Sequence, residues 1–356
     1  MKDMKRIFIA LSFAMALSAV AFQPSARAPL PNFDRRTDGA AGGLAPGQRQ
    51  AVNELKARVP ELEVTHSKLL RAPDFFSSRA GFLTGPDAAG LGVLPATAQA
   101  IPAADPHRAV KAFLNEHAAL FGYDASALAD ARVTRDYVTA HNGLRTVVWQ
   151  QQLNGIPVFE AITMGHITRN GELVNLYTHF VRDANGGVAR GMKGLTAEAA
   201  VNAPAVSAAG AIFIAAGNVG DEITVNSLAS QGPPQGVERK ETFRGSRGVK
   251  GEQYAQLVWV PINANALRLC WQVLVTSGSR GEMFLLLIDA QTGEVIVRRC
   301  LTNYITNSTY NVWTSDSPSP FSPGYQVPGN PAQPPIIART LVTIPARRMR
   351  SRICST

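Results

Sequence analysis

Three Asn-Gly pairs, Asn142-Gly143, Asn154-Gly155 and Asn170-Gly171, fall within thirty residues, and no other feature of the chain limits its fold so tightly. Asn-Gly is the strongest short hairpin signal, because both residues tolerate the positive φ of a type I′ turn. The segments around these pairs alternate with a period near two. Residues 132–139, 144–153, 157–168 and 173–181 are therefore read as strands of one antiparallel meander. A meander has an apolar face to bury, and the natural cover precedes it. Val110, Phe113, Leu114, Leu120 and Phe121 recur at three-to-four spacing across 106–121, with Asp105 as N-cap and Gly122 as the stop.

The pattern then repeats. Residues 195–214 form a second, Ala-rich helical stretch, divided at Pro204, and a Gly/Pro-rich charged loop follows over 231–251. Residues 254–262, 266–276, 282–289 and 294–299 read as four more strands, turning at Asn263-Ala264-Asn265, Ser277-Gly278-Ser279 and Gln291-Thr292-Gly293. Trp149-Gln150 matches Trp271-Gln272, and Gly171-Glu172 matches Gly293-Glu294, both at an offset of 122 residues. The expected fold class is α+β, with two tandem modules that each pack a helix on an antiparallel meander. Outside them, 48–58 reads as a short helix stopped by Pro60, and 79–92 as loop. Seven prolines in 317–335 exclude a core element there; "IIARTLVTIPA" can form one strand, and an arginine-rich tail closes the chain.

At 356 residues there is room for two ordinary domains. Lys2, Lys5 and Arg6 precede an uncharged apolar run from Ile7 to Ala21 that ends in Ala19-Val20-Ala21. That is a secretory signal over 1–21, too short for a comfortable membrane span. The mature chain is expected to be secreted, free of the membrane and monomeric. The formal charge of +9 divides into +2 for 1–21, +4 for 346–356 and +3 for all the rest, so no clustered basic face suggests nucleic acid. Three cysteines, Cys270, Cys300 and Cys354, are too few for a disulfide framework.

The search for chemistry centres on "WQQQLNGIPVFEAITMGHITRNGEL", where Gln150, Gln151, Gln152 and His166 have the look of a working site. A His-Glu-x-x-His zinc motif needs two histidines four apart on one helical face. The six histidines, His66, His107, His117, His141, His166 and His179, are never closer than ten residues. There is no Gly-x-Ser-x-Gly elbow. Cys270 reads as a buried strand residue, and Cys300, although it follows Arg298 and Arg299, has no histidine base in view. Gly245, Gly248 and Gly251 lie in a charged loop without the strand–turn–helix setting of a phosphate cradle. Glu160, Glu172 and Asp289 are scattered rather than paired. The residues describe exported binding modules, with no catalytic, cofactor-binding or metal site assigned.

A family likeness accompanies this reading. "AVKAFLNEHAALFG", "VTRDYVTAHNGLRTVVWQQQLNGIPVFEAITMGHITRNGELVNL" and "FLTGP" resemble the prodomain of fungalysin-type and related thermolysin-like extracellular zinc metallopeptidases. "CWQVLVTSG" and "LLLIDAQTGEVIVRR" are similar to the PepSY domain that follows in such precursors, and 308–335 looks like the start of the peptidase chain. The resemblance implies a signal peptide (1–21), an FTP-like prodomain (30–185), a PepSY-like domain (195–302), a truncated peptidase start (303–345) and a tail (346–356) whose abrupt change at Arg347 suggests a shifted reading frame. It implies cystatin- or PepSY-like modules that chaperone and inhibit a zinc metallopeptidase. The zinc and its ligands belong to a catalytic domain whose motif has no match here, so this chain is expected not to be an enzyme and to carry no cofactor. Its partner would be the cognate or a related metallopeptidase. The alternative is a free-standing exported PepSY-type protein that regulates another protease or an envelope component.

Overall fold

The computed structural model describes residues 28–37, 43–244, 248–304, 308–312, 340–344 and 348–350. The signal region, the Pro-rich stretch 317–335 and most of the arginine-rich tail lie outside the described residues. The chain divides into two compact units: Pro31–Ser279 with Phe284–Arg299, and Met1–Leu30 with Arg280–Met283 and Cys300–Thr356.

In chain order the first elements are β1 (Phe33–Asp34), α1 (Pro46–Arg58), β2 (Leu62–Ser67), β3 (Ala72–Ser78), α2 (Pro95–Gln99), α3 (Arg108–Glu116) and α4 (Ala118–Phe121). The meander follows as β4 (Arg132–Val138), β5 (Arg145–Leu153), β6 (Ile156–Ile167) and β7 (Leu173–Thr178). Next come α5 (Ala184–Gly191), α6 (Ala197–Asn202), α7 (Ala208–Asn218), β8 (Ala229–Ser230) and β9 (Glu241–Arg244). The second meander is β10 (Glu252–Asn263), β11 (Ala266–Thr276), β12 (Met283–Asp289) and β13 (Val295–Cys300). All eight meander strands lie within two residues of their expected bounds, apart from the last three residues expected of β7. In the smaller unit, β14 (Thr302–Tyr304) pairs with β17 (Arg348–Arg350), and β15 (Ser308–Val312) with β16 (Thr340–Ile344).

Several expectations need correction. Only Asn154-Gly155 is a two-residue turn: Asn154 has φ 53° and Gly155 φ 78°, and Leu153 pairs directly with Ile156. At Asn142-Gly143 the loop is wider, closed by Thr139 N–H to the Leu144 carbonyl, and at Asn170-Gly171 by Thr168 N–H to the Glu172 carbonyl. The helix expected over 106–121 breaks at His117, whose backbone (φ −113°, ψ 27°) leaves the helix and separates α3 from α4. His117 is buried there, and its Nε2 donates to the Gly92 carbonyl at 2.8 Å. Asp105 is not the N-cap; its carboxylate accepts from the His107 N–H, and His107 holds the cap position. Proline and glycine concealed three elements, β3 (with Pro73), α2 (with Pro95) and α5 (with Gly186-Gly187).

The meanders share one thirteen-stranded, mostly antiparallel sheet running β1-β13-β12-β11-β10-β6-β7-β3-β2, with β5 paired to β4 and β6, and β9 to β10 and β8. They meet at β6. Its other flank pairs with β10 in parallel near Val158, opposite Trp259, and with β7 over Thr163–Ile167. Helices α3 and α4 bury one face of the first meander through Phe76, Phe113, Phe121, Trp149, Leu173 and Leu176. Each large apolar side chain buried this way contributes about 1.5–3 kcal/mol.

The repeat seen in the sequence has a structural counterpart. Trp149 lies on β5 and Trp271 on β11, each the second strand of its meander and each 2% exposed. The second meander is buried on both faces: Trp271 Nε1 donates to the Val206 carbonyl just before α7, while Val258, Val260, Cys270 and Leu287 form a core on the other side.

Candidate functional site

The glutamine-rich strand is scaffolding. Between Gln150↔Ile162 and Gln152↔Pro157 the β5–β6 register jumps, so residues 158–161 bulge opposite Gln151. A bulge strands backbone carbonyls, and the Gln150 side chain recovers two of them: its Nε2 donates to Val158 O at 2.7 Å and to Ala161 O at 3.0 Å. Gln151 extends the sheet sideways, accepting from Val181 N–H and donating to Val181 O, each at 2.8 Å.

The bulge aims Glu160, at φ 58°, into an ionic network. Arg36, 5% exposed, bonds Asp34 at 2.6 Å and Glu160 at 3.0 Å, and Arg299 bonds both of these acids. Both guanidinium groups lie over the Phe159 ring. Burial pushes the Asp34 and Glu160 carboxyls up, but Arg36 outweighs it at Asp34 and Arg299 with Arg36 at Glu160, so both end below the usual carboxylate range. These charges tie β1 and its following turn to both meanders, and sequence reading missed them because their partners lie more than a hundred residues apart.

The histidines are not brought together. His107 Nε2 lies 2.9 Å from Asp136 and edge-on to Trp149; His166 Nδ1 lies 2.7 Å from Asn175 Oδ1; His179 lies 3.5 Å from Asp74. Among the described residues no group of three His, Cys, Asp or Glu side chains is placed to hold a metal ion, so the residues present do not fit the zinc that the resemblance brings to mind. Burial drives the Cys270 thiol well above its ordinary range, which removes the thiolate a nucleophile needs.

What the first meander does offer is surface. The pairing registers put Thr65, Phe75, Tyr177, Met164, Val148 and Arg135 in one row across β2, β3, β7, β6, β5 and β4, on the face opposite the helices. Phe75, Tyr177 and Met164 are half-buried and stand outside the helix-covered core. The row ends at an edge, because among the described strands β4 pairs only with β5. All seven β4 residues are exposed, including Val133 (46%), Tyr137 (52%) and Val138 (51%). A solvent-facing edge with this much apolar side chain invites a partner strand. Arg132 and Arg135 make no ion pair with the described residues, so the edge is also basic. Sequence reading placed β4 but not its exposure; three apolar side chains on both faces of a strand next to an Asn-Gly loop were the available signal.

Residues 129–177 match the Fungalysin/Thermolysin Propeptide Motif. The chain is 26% identical over 189 residues to the extracellular metalloproteinase mep of Aspergillus terreus, a match that takes in 52% of this chain and 27% of that protein. This chain therefore spans well under two thirds of its relative's length. The Bacillus megaterium YpeB C-terminal domain is similar over 74% of this chain and 100% of that chain, at 11% identity and a TM-score of 0.24, too low to carry an argument.

Proposed function

We propose that this chain is the propeptide portion of a secreted zinc metalloendopeptidase precursor, acting as chaperone and inhibitor of the peptidase. One observation carries the reading. The propeptide motif, 129–177, spans β4 to β7, the strands that bear Tyr177 and Met164 of the open face and the whole exposed β4 edge. A segment that covers a cleft needs extended complementary surface rather than reacting groups, and this half of the molecule has the first without the second. The metalloproteinase relative, named as extracellular, supports both the partner and secretion. Among the described residues no helix is long and apolar enough to cross a membrane.

In this reading the row from Phe75 to Met164 packs on the peptidase, the β4 edge accepts an extended strand from it, and Arg132 and Arg135 favour acidic segments beside that strand. Residues 195–302 act as a second, PepSY-like module, which the equivalent placing of Trp149 and Trp271 supports. Catalysis resides in a domain outside this chain, together with its zinc.

The test adds the purified chain to an extracellular zinc metallopeptidase of the relative's kind and follows casein hydrolysis. Inhibition at micromolar concentration is expected, lost in Met164→Lys with thermal unfolding unchanged. A folded chain that neither inhibits the peptidase nor speeds its refolding overturns the proposal and leaves the free-standing binding protein as the better account.

A further inference from the structure

A separate cavity lies beside the turn between β5 and β6. It has a volume of about 450 Å³ and is walled by the Asn154-Gly155 turn, helix α6 and the hairpin tip over 235–240. That volume falls within the range of about 300–1,000 Å³ typical of small-ligand sites. The tip is rigidly built. Gln235 and Lys240 exchange backbone hydrogen bonds at 2.9 and 2.8 Å, and Leu257 N–H on β10 donates to the Glu238 carbonyl at 2.7 Å. Arg239 is held at φ 49°, a left-handed conformation that costs a non-glycine residue free energy and concentrates at binding sites.

The lining has a definite chemistry. Ile156, Val201 and Val237 supply apolar surface; Val237, although 55% exposed, leans toward the turn at Gly155. Glu198 and Arg239 bring opposite charges to the same cavity without forming an ion pair with each other. Asn154 lines the same cavity, with an amide donor and acceptor to offer. A cavity lined by apolar side chains, a carboxylate, a guanidinium and a carboxamide matches the chemistry of a molecule that carries an ammonium, a carboxylate, amide groups and an apolar side chain.

We propose that this cavity binds a free di- or tripeptide with an apolar side chain, its ammonium group on Glu198 and its terminal carboxylate on Arg239. The role is independent of the peptidase-covering surface, so either reading stands if the other fails.

Calorimetric titration of the full chain with the dipeptide Leu-Leu, its N-acetyl form and its C-terminal amide tests the proposal. Saturable binding of the free dipeptide is expected, with each blocked form weaker by about tenfold, as loss of a charged hydrogen bond implies. Glu198→Gln should abolish the discrimination against the acetyl form alone, and Arg239→Gln the discrimination against the amide alone. Both side chains reach solvent, and circular dichroism confirms the fold of each variant. Absence of saturable binding to the wild-type chain overturns the proposal. So does equal or tighter binding of the blocked forms, which would instead mark a groove for an internal protein segment.

Discussion

Replacing Gln150 by leucine isolates what the glutamine-rich strand does. The substitution keeps an apolar stem of similar bulk, one heavy atom smaller, but removes the amide that donates to Val158 O and Ala161 O at 2.7 and 3.0 Å. Each lost hydrogen bond costs about 0.5–1.5 kcal/mol net, and a carbonyl left unsatisfied in a buried setting about 1–3 kcal/mol. Val158 and Ala161 are both fully buried, so neither oxygen gains ready access to water. The expected loss is about 2–4 kcal/mol, read as a lower urea midpoint with an unchanged slope. Gln152→Leu is the control two residues along the same strand; its side chain makes no hydrogen bond to a described residue, and its substitution should fall within about 0.5 kcal/mol of wild type. Equal urea midpoints for the two variants would refute the claim that the amide holds the bulge.

Three further expectations follow from burial and packing. Trp259→Phe should destabilise less than Trp271→Phe in the same urea assay: both rings are buried, but Trp259 Nε1 has no hydrogen-bond partner among the described residues while Trp271 Nε1 bonds the Val206 carbonyl. The Trp271 change loses a bond and orphans an acceptor, a difference of about 1–3 kcal/mol. Gly191→Ala should cost more than the few tenths typical of a surface change, since an added Cβ would sit 1.9 Å from the Leu267 carbonyl oxygen and force α5 off β11; a thermal midpoint equal to wild type would contradict that close approach. Acid should destabilise in two steps. Burial holds His117 below its ordinary value of 6.5, so the unfolded chain takes up its proton first, and stability present above that pH is lost as pH falls through it. Asp34 and Glu160, both lowered, lose their contribution once pH drops below their ordinary 3.8 and 4.5. His117→Gln keeps a donor for the Gly92 carbonyl but cannot protonate, so urea midpoints against pH should lack the upper step in that variant alone.

The strands were legible because they are local. Alternation with a period of two and Asn-Gly turns act within ten residues, and all eight meander strands appear with nearly the expected bounds. What stayed hidden depends on distant partners. Strand β3, with Pro73 in it, becomes a strand through its pairing with β2 and β7, and the glycines of α5 that argue against a helix are what let it lie against Leu267. The same division explains the site. Gln150 and Gln151 drew attention as polar side chains on a buried strand, and a polar group in such a place must find partners; theirs are the carbonyls of a bulge and the backbone of Val181, which no pattern in the sequence announces. The proposed partner surface gave the opposite signal. Its residues Phe75, Tyr177 and Met164 are ordinary strand formers, and they differ from core residues only because no described helix covers their face. Buried polar residues therefore marked architecture in this chain, and uncovered apolar ones mark the surface a partner would occupy.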